Sequence, residues 1–135
     1  MKNLAVTLAW AFAAAFLGAT VMGFVPNPLV GQDAFFVTNT AHNVVHLATA
    51  IGFVVVALLG ENASIRFMQA FGVVYLLTGA IGFVMLGSRP EGHLLHLIHI
   101  NWLDNFLHLG LGIAIASAGW ASRRHTNRPV VPSQG

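Results

Sequence analysis

Cysteine is absent from the 135 residues, which removes disulfides, thiolate metal sites, iron–sulfur clusters and a cysteine nucleophile. Charge is nearly as scarce. Lys and Arg number 6 and Asp and Glu 4, together 7% of the chain, against roughly 25% in ordinary soluble domains. A water-facing surface cannot be assembled from so few charges. With 56% of the residues hydrophobic, lipid is the expected solvent. No Gly-rich phosphate loop, no His-Glu-x-x-His and no Gly-x-Ser-x-Gly elbow occurs, so the familiar nucleotide-binding, metalloprotease and hydrolase signatures are missing. The polar segments are too short for a separate catalytic domain, and the chain reads away from an enzyme.

Four apolar runs are present, each of about the length that crosses a bilayer. The first spans Leu4 to Val25 and stops at Pro26-Asn27-Pro28, where two prolines end a helix. The second runs from about Ala41 to Leu59, before Gly60-Glu61-Asn62. The third covers about Ile65 to Leu86, ahead of Gly87-Ser88-Arg89-Pro90, and the fourth about Leu103 to Ala121. Residues 1–121 are expected to form one membrane domain, and 122–135 a basic, disordered cytoplasmic tail. Lys2 ahead of an apolar run also fits a signal peptide. The run of about 22 residues is longer than the usual apolar core of such a signal, which favours a retained helix.

Basic residues fix the expected orientation, because loops rich in Lys and Arg stay in the cytoplasm. Lys2, Arg66, Arg123, Arg124 and Arg128 fall on one side of a four-span chain, and Arg89, Asp33 and Glu91 on the other. Both termini are expected inside, with the loops 26–40 and 88–102 outside. The basic surplus reports topology, and no nucleic-acid partner is expected from it.

The second and fourth spans carry a shared pattern. Asn39-Thr40-Ala41-His42-Asn43-Val44-Val45-His46-Leu47 aligns without gaps to Asn101-Trp102-Leu103-Asp104-Asn105-Phe106-Leu107-His108-Leu109. Gly23-Phe24-Val25 aligns with Gly82-Phe83-Val84, Phe16 with Tyr75, Leu17 with Leu76 and Phe12 with Phe71. The expected architecture is all-α: a four-transmembrane-helix bundle of two tandem two-helix repeats, about 4–60 and 64–121. Units that cross twice return to the same side, so the copies are related by a pseudo-twofold axis along the membrane normal.

With Tyr75-Leu76-Leu77-Thr78-Gly79-Ala80-Ile81-Gly82 in the third span, these paired motifs give residues 4 to about 121 a resemblance to a family. The chain resembles small bacterial four-helix membrane proteins catalogued as a domain of unknown function. The resemblance implies a helical membrane fold in the bacterial inner membrane, and it implies no activity.

Positions three, four and seven apart share a helix face. Asn39, His42, Asn43 and His46 form such a stripe, and Asn101, Asp104, Asn105 and His108 form its counterpart. Polar groups facing lipid would cost several kcal/mol, on the order of the desolvation of an unpaired amide, so both stripes are expected to face the bundle interior. Three readings follow. The side chains act as interhelical glue, with Asn39, Thr40 or Asn101 as N-caps, in an accessory or structural membrane subunit. Alternatively His42, His46, Asp104 and His108 hold zinc, iron, copper or nickel, with Asn43 and Asn105 orienting them. A third reading places a b-type haem between His46 and His108, using room beside Gly52, Gly110 and Gly112. Redox chemistry or ion handling would follow from the last two, and a proton or ion pathway is a further possibility for ionisable groups within a membrane.

His93, His96 and His99 recur every third residue between the third and fourth spans, as on a short interfacial helix. Their functional alternative is a pH-sensitive cap or access point. Met22 and Met85, near the same end, are candidate soft ligands for Cu(I) or packing residues. Ala11, Ala15, Ala19 and Gly23 recur every fourth residue on the first span, a face for close helix packing inside the bundle or in a homodimer or larger membrane complex.

Overall fold

A computed structural model describes residues 3–126. It is all-helical, apart from two short strand pairs in the loops, with four helices among the described residues: α1 (Leu4–Phe24), α2 (Thr40–Leu59), α3 (Glu61–Leu86) and α4 (Trp102–Thr126). Three of them, α1, α2 and α3, are long and apolar enough to cross a membrane, with mean hydropathies of 2.0, 1.9 and 1.8. The fourth is equally long but carries Asp104, Asn105 and His108 near its start and Arg123 and Arg124 near its end.

Helix boundaries follow local chemistry. The Asn3 side chain caps α1 by accepting from Val6 N. Beyond Phe24, the Asn27 amide gathers the turn: its Nδ2 donates to the carbonyls of Met22 (2.7 Å), Val25 (2.7 Å) and Val30 (3.1 Å). Its Oδ1 accepts from Leu29 N and Val30 N, both at 2.9 Å. Between α2 and α3 stands only Gly60, at φ 100°, a conformation that side chains disfavour. That one residue reverses the chain, so α3 starts at Glu61 rather than near Ile65. Helix α4 continues through Ser122, Arg123 and Arg124 to Thr126, so the expected tail begins as helix. The rest of that tail, with Arg128, lies outside the described residues, as does Lys2.

Helix α1 packs along α2, and α3 along α4, with lesser contacts between α2 and α3 and between α1 and α4. On α1 the buried face is Ala5, Ala9, Ala13, Phe16 and Thr20. Ala11 and Ala15, from the small-residue stripe, are exposed instead, so internal packing does not explain that part of it. Gly72 and Gly112 let α3 and α4 approach until a Cβ on either would meet the opposite helix. Between the helices run aromatic rings: Phe12, Phe16, Phe53, Phe67, Phe71 and Tyr75 lie in successive contacts with centroids 5.0–6.4 Å apart. The exterior is apolar as well; Leu58 and Leu59 are 72% exposed and Val84 82%.

The loop 25–39 and the loop 87–101 cover the same end of the bundle. The first holds a two-residue parallel pairing of β1 (Val30–Gly31) with β2 (Phe36–Val37). The second is an antiparallel hairpin of β3 (Glu91–Leu94) and β4 (Ile98–Asn101). This corrects the interfacial helix expected for residues 91–100. His93 and His99 face each other across the hairpin, rings stacked at 4.7 Å, while His96 sits in the turn at φ 59°. The alternation Ile98-His99-Ile100-Asn101 carries a strand period of two, and the three-residue spacing of the histidines masked it.

Candidate metal centre

Both polar stripes begin at caps. Asn39 Oδ1 accepts from His42 N at 2.9 Å, and Asn101 Oδ1 accepts from Asp104 N at 2.9 Å. Each cap satisfies a backbone N–H that the first helical turn leaves free. The same two asparagines reach across the bundle: Asn39 Nδ2 donates to Leu97 O (2.8 Å) and Asn101 Nδ2 to Phe35 O (2.9 Å). The next stripe position also crosses. His42 Nδ1 bonds to His99 O at 2.8 Å, and Asp104 Oδ2 accepts from Val37 N at 3.2 Å and from Asn101 N at 2.8 Å. In the gapless alignment Leu97 corresponds to Phe35 and His99 to Val37. Each half therefore holds the loop of the other at matching positions.

Next along each helix come the asparagines. Asn43 Nδ2 donates to Gly23 O at 2.8 Å, and Asn105, 0% exposed, packs on Gly82. A Cβ at Gly23 would fall onto the Asn43 amide, and a Cβ at Gly82 onto that of Asn105, which is why Gly-Phe-Val starts with glycine in both places. His46 then lies against Phe16 (5.9 Å between centroids) and His108 against Tyr75 (5.1 Å).

The structure brings His42, His46 and His108 together, each offering a ring nitrogen within 4.8 Å of the other two. The His42 ring is 4.5 Å from that of His46 and 5.7 Å from that of His108. Because a carbonyl only accepts, the bond to His99 O places the His42 proton on Nδ1 in the neutral ring, and the Val37 backbone is a second neighbour of the same ring. The Nδ1 atoms of His46 and His108 are buried and have no hydrogen-bond partner. Three nitrogens around zinc, at about 2.0–2.1 Å each, sit about 3.3 Å apart, within reach of small side-chain rotations from this arrangement.

Asp104 does not join the trio. It lines the same cavity, but one carboxylate oxygen is already held by two backbone N–H groups. Asn43 and Asn105 pack against the glycines; Asn43 Nδ2 is bonded to Gly23 O, while Asn43 Oδ1 and both polar atoms of the Asn105 side chain are buried without a partner. Neither Met22 nor Met85, nor any of His93, His96 and His99, lines the cavity. Sequence reasoning missed Thr38, buried in the cavity wall with its hydroxyl unpartnered, and missed the bond from His42 to the hairpin.

The cavity around the trio measures about 90 Å³ and is lined by Ala15, Phe16, Ala19, Val30, Phe36, Thr38, Leu107 and Leu111 besides the four ionisable residues. A haem does not fit. A cavity of about 150 Å³ is what benzene occupies, and a macrocycle is far larger. Of the three glycines expected to make room, Gly52 is filled by Phe67 and Gly112 by Leu76 and Gly72, while Gly110 has open space beside it but is exposed and does not line the cavity. Comparison with known proteins found no matching family model, no matching curated protein and no matching solved structure.

Proposed function

We propose that this chain is a four-span membrane protein whose two tandem helix pairs enclose a transition-metal centre at His42, His46 and His108. The apolar exterior supports the membrane reading: three helices meet the length and hydropathy of a span. The fourth has an apolar middle and hides its polar start among the other helices, where Asp104, Asn105 and His108 are at most 6% exposed. Arg66, Arg123 and Arg124 lie at the end away from the two long loops, which supports cytoplasmic termini by the positive-inside rule. The reciprocal bonds of Asn39 and Asn101, and the matched Gly23–Asn43 and Gly82–Asn105 contacts, support the tandem repeat with its pseudo-twofold axis.

One observation carries the metal reading. Three imidazoles converge, two with buried, unpartnered Nδ1 atoms. Buried polar atoms without partners cost about 1–3 kcal/mol each, and a cation bound by the trio offsets that cost. Neutral imidazole suits zinc, copper, iron and nickel, and the carbonyl of His99 orients His42 as outer partners of metal-bound histidines do. A structural role for the outer collar stands beside this reading. Asn39, Asn101 and Asp104 find backbone partners in the loops, and they act as glue without any ion.

Elemental analysis of the untagged protein in mild detergent, screening iron, zinc, copper, nickel and manganese together, tests the proposal. About one ion per chain, falling to background in His46→Ala and in His108→Ala, is the expected result. Background metal after the protein has been offered each ion, or full occupancy in both variants, overturns the assignment.

A further inference from the structure

The cavity beside the three imidazoles has features that a closed structural site lacks. Structural metal sites are saturated by four protein ligands, whereas three protein ligands leave a coordination position for water or a substrate. Here the fourth candidate, Asp104, is tied by Oδ2 to Val37 N and Asn101 N. The space next to the trio is enclosed mainly by Ala, Phe, Val and Leu side chains. Its volume of about 90 Å³ holds about three non-hydrogen atoms at the ~30 Å³ that one water occupies in the liquid.

The cavity also has a direction. Two of its walls are Ala15 and Ala19 on α1 and Leu107 and Leu111 on α4. Ala15 is exposed and Leu107 is 43% exposed, so these two walls separate the cavity from the lateral, apolar flank of the bundle between α1 and α4 by a single layer of side chains. At the loop end it is roofed by Val30, Phe36 and Thr38, in the segment that Asp104 and Asn101 bind. A charged ligand crossing the lateral flank would lose its hydration to alanine and leucine without compensation, and an anion would then face the Asp104 carboxylate.

Resting on the metal reading above, we infer that the centre keeps one open coordination position. It binds a small uncharged molecule of diatomic or triatomic size that arrives through the bilayer by the α1–α4 flank. Molecules of this class dissolve in hydrocarbon and need no polar channel. A quinone or other ring is too large, because the cavity is smaller than the roughly 150 Å³ that accommodates benzene.

Carbon monoxide on the Cu(I)-loaded full-length protein in lipid nanodiscs, followed by infrared spectroscopy, is the test. Expected is one retained copper per chain with a single C–O stretching band, absent from His108→Ala, and a several-fold slower appearance of that band in Ala19→Phe. Retained copper without a C–O band overturns the open position and leaves the metal centre intact. Equal rates in the wild type and in Ala19→Phe, at equal copper content, overturn the lateral route. Failure of the chain to retain any ion overturns the metal centre and this inference with it.

Discussion

Two polar layers, one helical turn apart, are built from the same motif and end differently. In the outer layer Asn39, Asn101, His42 and Asp104 are bonded to backbone groups of the opposite loop. In the inner layer His46 and His108 occupy equivalent positions, yet the Nδ1 atom of each is buried without a partner. Burial alone does not separate them, since Asp104 is 3% and His108 6% exposed. Satisfaction does. A saturated polar group holds structure, and an unsaturated one at close quarters with two like neighbours is where a ligand belongs.

The sharpest way to break this comparison is to delete the inner layer. The double variant His46→Ala, His108→Ala is expected to lose all bound metal while the ion-free protein loses less than about 2 kcal/mol, because few hydrogen bonds go with the rings. Elemental analysis paired with thermal unfolding followed by tryptophan fluorescence separates the two effects. An ion-free protein that no longer folds would place His46 and His108 with the structural layer.

Asp104→Ala should behave in the opposite way. It strips partners from Val37 N and Asn101 N, costing about 3 kcal/mol, with metal content kept in the folded fraction. A lost ion with unchanged stability would move Asp104 into the ligand set. Gly82→Ala and Gly23→Ala press a methyl group onto Asn105 and Asn43 respectively, at about 2 kcal/mol each. Comparable melting shifts in the two variants would sharpen the equivalence of the halves, and a large difference would break it. Smallest is Asn39→Ala, about 1 kcal/mol for a lost cap; a shift matching that of Asp104→Ala would mean that its bond to the Leu97 carbonyl matters more than the cap.

Much of the scaffold was legible in residue order. The apolar runs located the four helices, because outward-facing and core-facing residues are alike apolar here and only the interruptions carry information. Pro26-Asn27-Pro28 and Gly60 marked reversals, and the caps at Asn39 and Asn101 followed from amides that precede a helix. The hairpin at 91–101 was misread as a helix, since histidines three apart satisfy a helical period while the strand alternation spans only four residues. The cavity beside the trio, about 90 Å³, is smaller than a haem requires. Glycines signal room in a sequence, but Gly52 and Gly112 are filled by neighbouring groups.

Spacing along α2 determined that His42 and His46 share a face, and the repeated motif put His108 at the position matching His46. Those relations are local and follow from 3.6 residues per turn. Which of the four candidate ligands converge was decided only by tertiary structure. Loop backbone comes within reach of both outer positions, and an aspartate and a histidine answer it differently. Asp104 commits one carboxylate oxygen to two backbone N–H groups and stays outside the trio, whereas His42 donates one ring N–H to a carbonyl and still stands within it.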